Sequence, residues 1–274
     1  MDKEDCLKQT KQSQYRMIQK IAERPDKKSS YYLAEDTEWQ RLVGIKAVQK
    51  TKKVEQKEQI KLLMKVAENT PFVPRVYEVL EDDEQVYIIM EHIMGHTLQQ
   101  FMEENPSKVK EMHAIMMKKL MAILLTLPCE HRDIKPANII VRKQDSKGYF
   151  IQDIFLIDFG LSALYPFANE GTNYYQAPEQ KQETEFTIKA NAQKQIDIFA
   201  CGMMLLELLL GSKPVEGKNY SLLENAEEWT VFEELREKGV SEEEVGFIQK
   251  CVQPDPVKRV KTIREMMFLY RNIK

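Results

Sequence analysis

Cysteine is sparse and scattered. Four residues, Cys6, Cys129, Cys201 and Cys251, stand far apart with no C-x-x-C pair. That spacing argues against a disulfide scaffold or a cysteine zinc site, and it makes a reducing compartment the default. A dominant charge is also missing. With 40 Lys and Arg against 43 Asp and Glu, the net charge is −3, which gives no general reason to bind nucleic acid or an anionic membrane. There is no long hydrophobic run either. The longest, residues 200–210, is interrupted by Glu207 and is too short to cross a bilayer. The opening MDKEDCLKQT is too charged for a secretory signal, so a soluble, cytoplasmic protein is the expectation. Internal repeats and low-complexity tracts are absent. What is present is 274 residues, 43% apolar and 30% charged, enough for one large domain or two packed lobes.

Along the chain the pattern changes once. Residues 31–34 and 42–48 read as strands joined by a polar turn, and residues 54–66 carry Ile60, Leu62, Leu63 and Val66 near a helical stripe. Thr70, Pro71 and Pro74 end that helix. Residues 76–80 and 86–90 read as a second strand pair around an acidic turn, and residues 91–95 as a connector. Beyond it the periodicity is helical. Residues 111–127 place methionine and leucine at core spacing, and residues 196–210 are apolar nearly all round, as in a helix central to a lobe. Short strands are expected at 139–141 and 155–157, and acidic amphipathic helices at 224–238 and 242–252.

The chemistry concentrates in HRDIKPAN at residues 131–138, followed by an apolar strand and by LIDFG at residues 156–160. A lone HRD would be chance. HRD-x-K-x-x-N, a strand and DFG in that order is far more specific. At these residues the sequence resembles the eukaryotic protein kinase family, serine/threonine type, and the resemblance runs from about residue 15 to residue 270. Phosphoryl transfer needs phosphate charge neutralised and an acceptor hydroxyl aligned. The resemblance therefore implies Asp133 as catalytic base and Lys135 as a cation beside the transferring group. It implies Asn138 and Asp158 as oxygen ligands for Mg²⁺. Lys135 is the residue that serine/threonine members carry at this place.

Val43, Gly44, Ile45 and Lys46 resemble the V-A-I-K strand, so Lys46 would meet the α- and β-phosphates of ATP; alone, the tetrapeptide would better suit a surface lysine on a strand, and its place before HRD and DFG is what gives it weight. GTNYYQAPE at residues 171–179 matches the segment that supports a peptide acceptor, which implies a protein substrate. By the same resemblance, Thr172 should bridge Asp133 and Lys135, Glu179 should pair with Arg259, and Asp197 should hold the HRD backbone. Met90 falls at the gatekeeper position. The resemblance implies that residues 91–93 would be the hinge, with the backbone of Glu91 and Ile93 facing adenine, and that Val76, Leu63, His131 and Phe159 would be the stacked apolar spine.

Three departures from the family stand out. No glycine occurs between residues 21 and 30, where a glycine-rich loop would let backbone amides approach phosphate; Lys27 and Lys28 could substitute side-chain charge, or the hairpin could be a polar turn remote from ATP. The helix partner of Lys46 falls on Gln59 rather than a glutamate, which keeps an acceptor and loses a counter-charge, unless a one-residue slip or a bulge brings the adjacent Glu58 to that place. The adenine ceiling has Tyr31 and Gly44 in place of valine and alanine, a larger residue beside a smaller one that together conserve volume.

The expected fold is α+β and two-lobed, protein-kinase-like. A small antiparallel sheet lobe spans residues 15–92 and a larger, mainly helical lobe spans residues 93–274, with ATP in the cleft between them. The expected function is transfer of the ATP γ-phosphoryl to protein hydroxyls. The alternative is a pseudokinase, a binding or scaffold module of the same fold, supported by the glycine-free loop and Gln59. The oligomeric state is not readable from the sequence.

Overall fold

The computed structural model describes residues 14–23, 28–50, 53–144, 148–159, 174–181, 194–213, 229–271 and 273. Two units make up the chain, Met1–Met94 and Gly95–Lys274.

The first unit has strands β1 (Tyr15–Glu23), β2 (Ser29–Asp36) and β3 (Arg41–Gln49), then helix α1 (Lys53–Asn69), then β4 (Val76–Glu81) and β5 (Gln85–Glu91). They form one antiparallel sheet in the order β1-β2-β3-β5-β4. Period-two alternation sorts the two faces. Val43, Ile45 and Ala47 of β3 join Ala34, Tyr87 and Ile89 in a buried cluster. The opposite residues of β5, Val86, Ile88 and Met90, pack with Ile60 and Leu63 of α1 and with Val76 and Tyr31. β5 is thus apolar on both faces because both are covered, which explains the unbroken run VYIIM. β1 has no counterpart among the strands expected from sequence. It is an edge strand whose residues are mostly exposed, so core alternation is weak there.

The second unit opens with β6 (Gly95–Thr97), α2 (Leu98–Glu104) and α3 (Pro106–Thr126). Thr97 caps α2 in a reciprocal pair with Gln100. α3 starts at Pro106, earlier than its apolar stripe suggests, because proline is well suited to the first helical position. A 3₁₀ turn at Pro136–Asn138 leads into β7 (Ile139–Gln144) and β8 (Gly148–Leu156), which form a three-stranded antiparallel sheet with β6. The expected short strands are the ends of this longer hairpin. Helices α4 (Pro178–Lys181), α5 (Lys194–Leu210), α6 (Val231–Glu237), α7 (Glu242–Cys251) and α8 (Ile263–Tyr270) follow.

α5 is buried from Gln195 to Leu210 and packs against α3, α6, α7 and α8, so a helix apolar all round sits at the centre of its unit. Gly202 permits the close approach to the end of α7. A Cβ there would lie 2.6 Å from Val252 Cγ1 and 2.8 Å from Cys251 Cβ. No helix among the described residues is long and apolar enough to cross a membrane.

A half-buried ion pair joins α3 to α7. His113 Nε2 lies 2.8 Å from Glu244 Oε1, and Nδ1 lies 2.7 Å from the Lys110 carbonyl. Both partners accept, so both ring nitrogens carry hydrogen and the imidazolium is the form that fits. Burial opposes that charge, but the Glu244 and Lys110 bonds outweigh it and the His113 pKa is raised. The raised folded pKa means that this pair stabilises the fold fully below the unfolded histidine value and ceases to do so as pH rises through the folded one. The urea midpoint of the chain is expected to fall as pH rises above the ordinary histidine range, about 6.5, and His113→Gln is expected to flatten that slope. An unchanged slope in the variant would assign the pH dependence elsewhere.

Candidate active site

The segment between α3 and β7 is held from below by Asp197, in the first turn of α5. Its Oδ2 accepts from the His131 N–H at 2.8 Å and its Oδ1 from the Arg132 N–H at 2.7 Å. Burial raises the Asp197 pKa to about 7, against the pull of those two N–H donors. The anchoring expected of Asp197 is therefore present. It secures a strained backbone, since Arg132 has φ +69°, a left-handed conformation uncommon outside glycine. Gln180 of α4 adds a second tether, donating from Nε2 to the Arg132 carbonyl at 3.1 Å. Sequence reasoning missed Gln180, because nothing in a polar residue after A-P-E marks it as a tether.

His131 is fully buried, and burial lowers its pKa. Its ring is neutral with the hydrogen on Nε2. That nitrogen donates to the Ile157 carbonyl at 3.0 Å, while Nδ1 accepts from the Asp133 N–H at 3.3 Å. The ring meets Phe159 edge-on at 4.6 Å between centroids. One histidine thus links the loop to the DFG segment on the far side.

Three polar side chains converge just above it. Lys135 Nζ donates to Asp133 Oδ2 at 2.7 Å, and Asn138 Nδ2 donates to the same oxygen at 2.8 Å and to the Asp133 carbonyl at 2.8 Å. The spacing D-x-K-x-x-N places them together because the Pro136–Asn138 turn folds the loop back, with the Asn138 N–H donating to the Lys135 carbonyl at 3.0 Å. The Ile157 N–H donates to the Asn138 carbonyl at 2.9 Å, which ties the backbone just before Asp158 to the end of this loop. Asp158 itself is exposed and has φ +65°. A second left-handed non-glycine residue within one site directs a side chain away from the path an ordinary strand would take.

Below this loop, Arg259 is buried and pairs with Glu179 through its two terminal nitrogens, Nη1 at 2.6 Å and Nη2 at 3.0 Å. The expected Glu179–Arg259 pair is present. Tyr175 donates its hydroxyl to buried Glu207 of α5, whose pKa burial raises. Residues 160–173, which include Gly171 and Thr172, lie outside the described residues.

The first unit carries Tyr31, Gly44 and Lys46 on one face of its sheet. Tyr31 is opposite Lys46, Lys46 is opposite Ile88, and Gly44 is opposite Met90. Met90 is buried between Gly44 and Val76 in the ladder. Leu63 and Val76 pack against the buried cluster of Val86, Ile88 and Met90. After Met90, the Glu91 N–H donates to the Arg75 carbonyl at 2.8 Å, and Ile93 is buried. Gln59 lies on α1, but its side chain is outside the described residues, as are residues 24–27 of the β1–β2 turn. One contact had no signal in the sequence: the Tyr31 hydroxyl reaches His92 Nδ1 at 3.3 Å, across 61 residues of chain.

Among known proteins, the family model described as protein kinase domain matches residues 27–268. Serine/threonine-protein kinase PrkC of Bacillus subtilis (strain 168) is 29% identical over 255 residues, covering 87% of this chain and 37% of that protein. Serine/threonine-protein kinase cds1 of Schizosaccharomyces pombe is 27% identical over 203 residues, covering 69% of this chain and 42% of that protein. The chain spans well under half the length of these curated relatives. The crystal structure of Rad53 1-466 in complex with AMP-PNP superposes with a TM-score of 0.71 at 22% identity, over 96% of this chain and 67% of that one, a likeness of fold. With the family model running through most of its length, and with this fold and loop, the chain belongs to the protein kinase domain family.

Proposed function

We propose that this chain is a serine/threonine protein kinase that transfers the γ-phosphoryl group of ATP to a protein hydroxyl. The observation that carries the reading is the Asp133 carboxylate held by Lys135 and Asn138 at 2.7 and 2.8 Å. In this reading the acceptor oxygen attacks the γ-phosphorus as the bond to the β–γ bridging oxygen breaks. ADP leaves, and the hydroxyl proton passes to Asp133. Lys135 places positive charge beside the transferring group. Its ammonium already sits on the carboxylate that would orient the hydroxyl, so both act from one point.

Asp158 and Asn138 would hold Mg²⁺, which neutralises phosphate charge when bound. The donor set fits that ion. Two hard oxygen donors from the chain suit a cation that completes its shell with water and phosphate oxygens. No group of three or more His, Cys, Asp or Glu that could form an all-protein cage occurs among the described residues. In the first unit, Lys46 would meet the α- and β-phosphates, while Gly44, Tyr31 and the backbone of Glu91 and Ile93 would meet the base. Gln59 would orient Lys46. A protein acceptor is supported by the anchored 174–181 segment, where Tyr175 and Glu179 are tied to Glu207 and Arg259.

Purified chain supplied with Mg²⁺-ATP and casein or myelin basic protein is expected to place phosphate on serine and threonine. Nucleotide binding with no transfer to any protein acceptor would overturn the assignment and leave a binding module.

A further inference from the structure

The peptide group between Arg132 and Asp133 is gripped at both of its polar atoms. Its carbonyl accepts from Gln180 Nε2 at 3.1 Å, and its N–H donates to His131 Nδ1 at 3.3 Å. Before it, the Arg132 N–H is held by Asp197 Oδ1 at 2.7 Å. After it, the Asp133 carbonyl accepts from Asn138 Nδ2 at 2.8 Å. His131 and Asn138 belong to the loop itself and Asp197 to the helix beneath it. Among these described partners, Gln180 is the one that comes from the 174–181 segment, the stretch that supports a protein acceptor in the reading above.

The Gln180 carboxamide is set to point one way. Gln180 is 6% exposed and stands third in α4, three residues after Ala177. Its Oε1 accepts from the Ala177 N–H at 3.0 Å, the reach-back of a glutamine to the N–H that precedes a helix. With the oxygen engaged there, the Nε2 end turns to the loop and donates to the Arg132 carbonyl. The glutamine also stands on a fixed base, because Glu179 before it is locked onto buried Arg259. A left-handed φ of +69° at Arg132 persists only where the surroundings over-determine it, and the Gln180 donor is one of those constraints.

We propose that Gln180 is a positioning residue for phosphoryl transfer: its carboxamide fixes the 132–133 peptide plane, and through it the Asp133 carboxylate, relative to the segment that carries the acceptor. This rests on the kinase reading given above. Without the Nε2 donor the Arg132 carbonyl loses its partner, and Arg132 is released to leave the left-handed region. The peptide plane then turns and carries Asp133 away from its place against Lys135 and Asn138. A displacement of about 1 Å at a reacting group is enough to cost about 10²-fold in rate. The contacts proposed for Lys46, Gly44 and Tyr31 with the nucleotide belong to the first unit, so the loss falls on kcat and not on the KM for ATP.

The test is steady-state phosphate transfer to casein or myelin basic protein by the full chain, with kcat and the KM for Mg²⁺-ATP determined separately. Gln180→Met, which keeps the length and removes both polar atoms, is expected to lower kcat about 10- to 100-fold and leave the ATP KM within about twofold of wild type. Gln180→Glu keeps the acceptor for the Ala177 N–H and has no donor while it is ionised. Protonation gives it an O–H that can donate to the Arg132 carbonyl. Burial and that carbonyl both raise the pKa of a carboxyl group at this place. The charged groups around it are Arg132, Asp133 and Lys135 on the loop, Asp197 at the start of α5, and the Glu179–Arg259 pair. The ratio of Gln180→Glu to wild-type kcat is therefore expected to rise as pH falls from about 8 to about 6, which a residue needed only for stability would not produce. If Gln180→Met does not fold, Gln180→Glu against pH decides alone. A Gln180→Met kcat within about twofold of wild type, a loss that appears in the ATP KM instead, or a Gln180→Glu ratio that is flat with pH would overturn this proposal and leave the kinase reading standing. Absence of phosphate transfer by the wild-type chain would overturn both.

Discussion

Asp133→Asn is expected to cut phosphoryl transfer by about 10²- to 10⁴-fold while leaving the fold and nucleotide binding in place. The amide has the size and shape of the carboxylate. Its oxygen can still accept from Lys135 Nζ and from Asn138 Nδ2, which at present share Asp133 Oδ2 at 2.7 and 2.8 Å. The Asn138 bond to the backbone carbonyl at position 133 is untouched, as are the two N–H donors that Asp197 holds. What disappears is a group that can take a proton, and a negative charge that orients the acceptor hydroxyl. Steady-state phosphate incorporation reads the loss. Mg²⁺-ADP affinity and the thermal midpoint show that the site and fold survive. Residual transfer above about a tenth of the wild-type rate would mean that Asp133 is not the base.

The largest effect on stability is expected at Arg259. Its side chain has no exposure, and all of its donor nitrogens are engaged. Nη1 serves Glu179 and the Gln195 carbonyl, Nη2 serves Glu179 and the Pro254 carbonyl, and Nε serves the Gln253 carbonyl. The guanidinium also lies 5.0 Å from the centre of the Phe199 ring. Arg259→Ala would leave a carboxylate and three carbonyls facing a void, at a cost of about 3–5 kcal/mol in urea unfolding. Arg259→Lys is expected to recover little of this, because a point charge with three donors cannot reproduce a planar fork. Replacing both partners, Arg259→Met with Glu179→Leu, is expected to cost much less than Arg259→Ala alone, since no charge is then stranded. A loss below about 1 kcal/mol for Arg259→Ala would show that water or another cation takes over the site.

Much of the site could be read from sequence because its groups are close in the chain. Asp133, Lys135 and Asn138 meet through a single turn, so their spacing carries their geometry. Pairs such as Glu179 with Arg259 were legible only through family resemblance, since 80 residues separate them. Strands β1 and β6 were not legible. One is mostly exposed and the other has three residues, so neither imposes an apolar period on its sequence. Gln180 tethering Arg132, and His113 facing Glu244 across 131 residues, left no local trace.

By itself, then, the sequence determined the chemistry: which acids, amide and amines are available, in what order, and that a helix apolar all round must lie at the centre of its unit. Tertiary structure decided where those groups point. It set the left-handed backbone at Arg132 and Asp158, the proton position on His131, and the contact of the Tyr31 ring with Gly44. The physical reason is that residue type and short spacing are local properties of the chain. Backbone strain, burial and sheet register are imposed by residues tens of positions away, whose packing cannot be summed from any one segment.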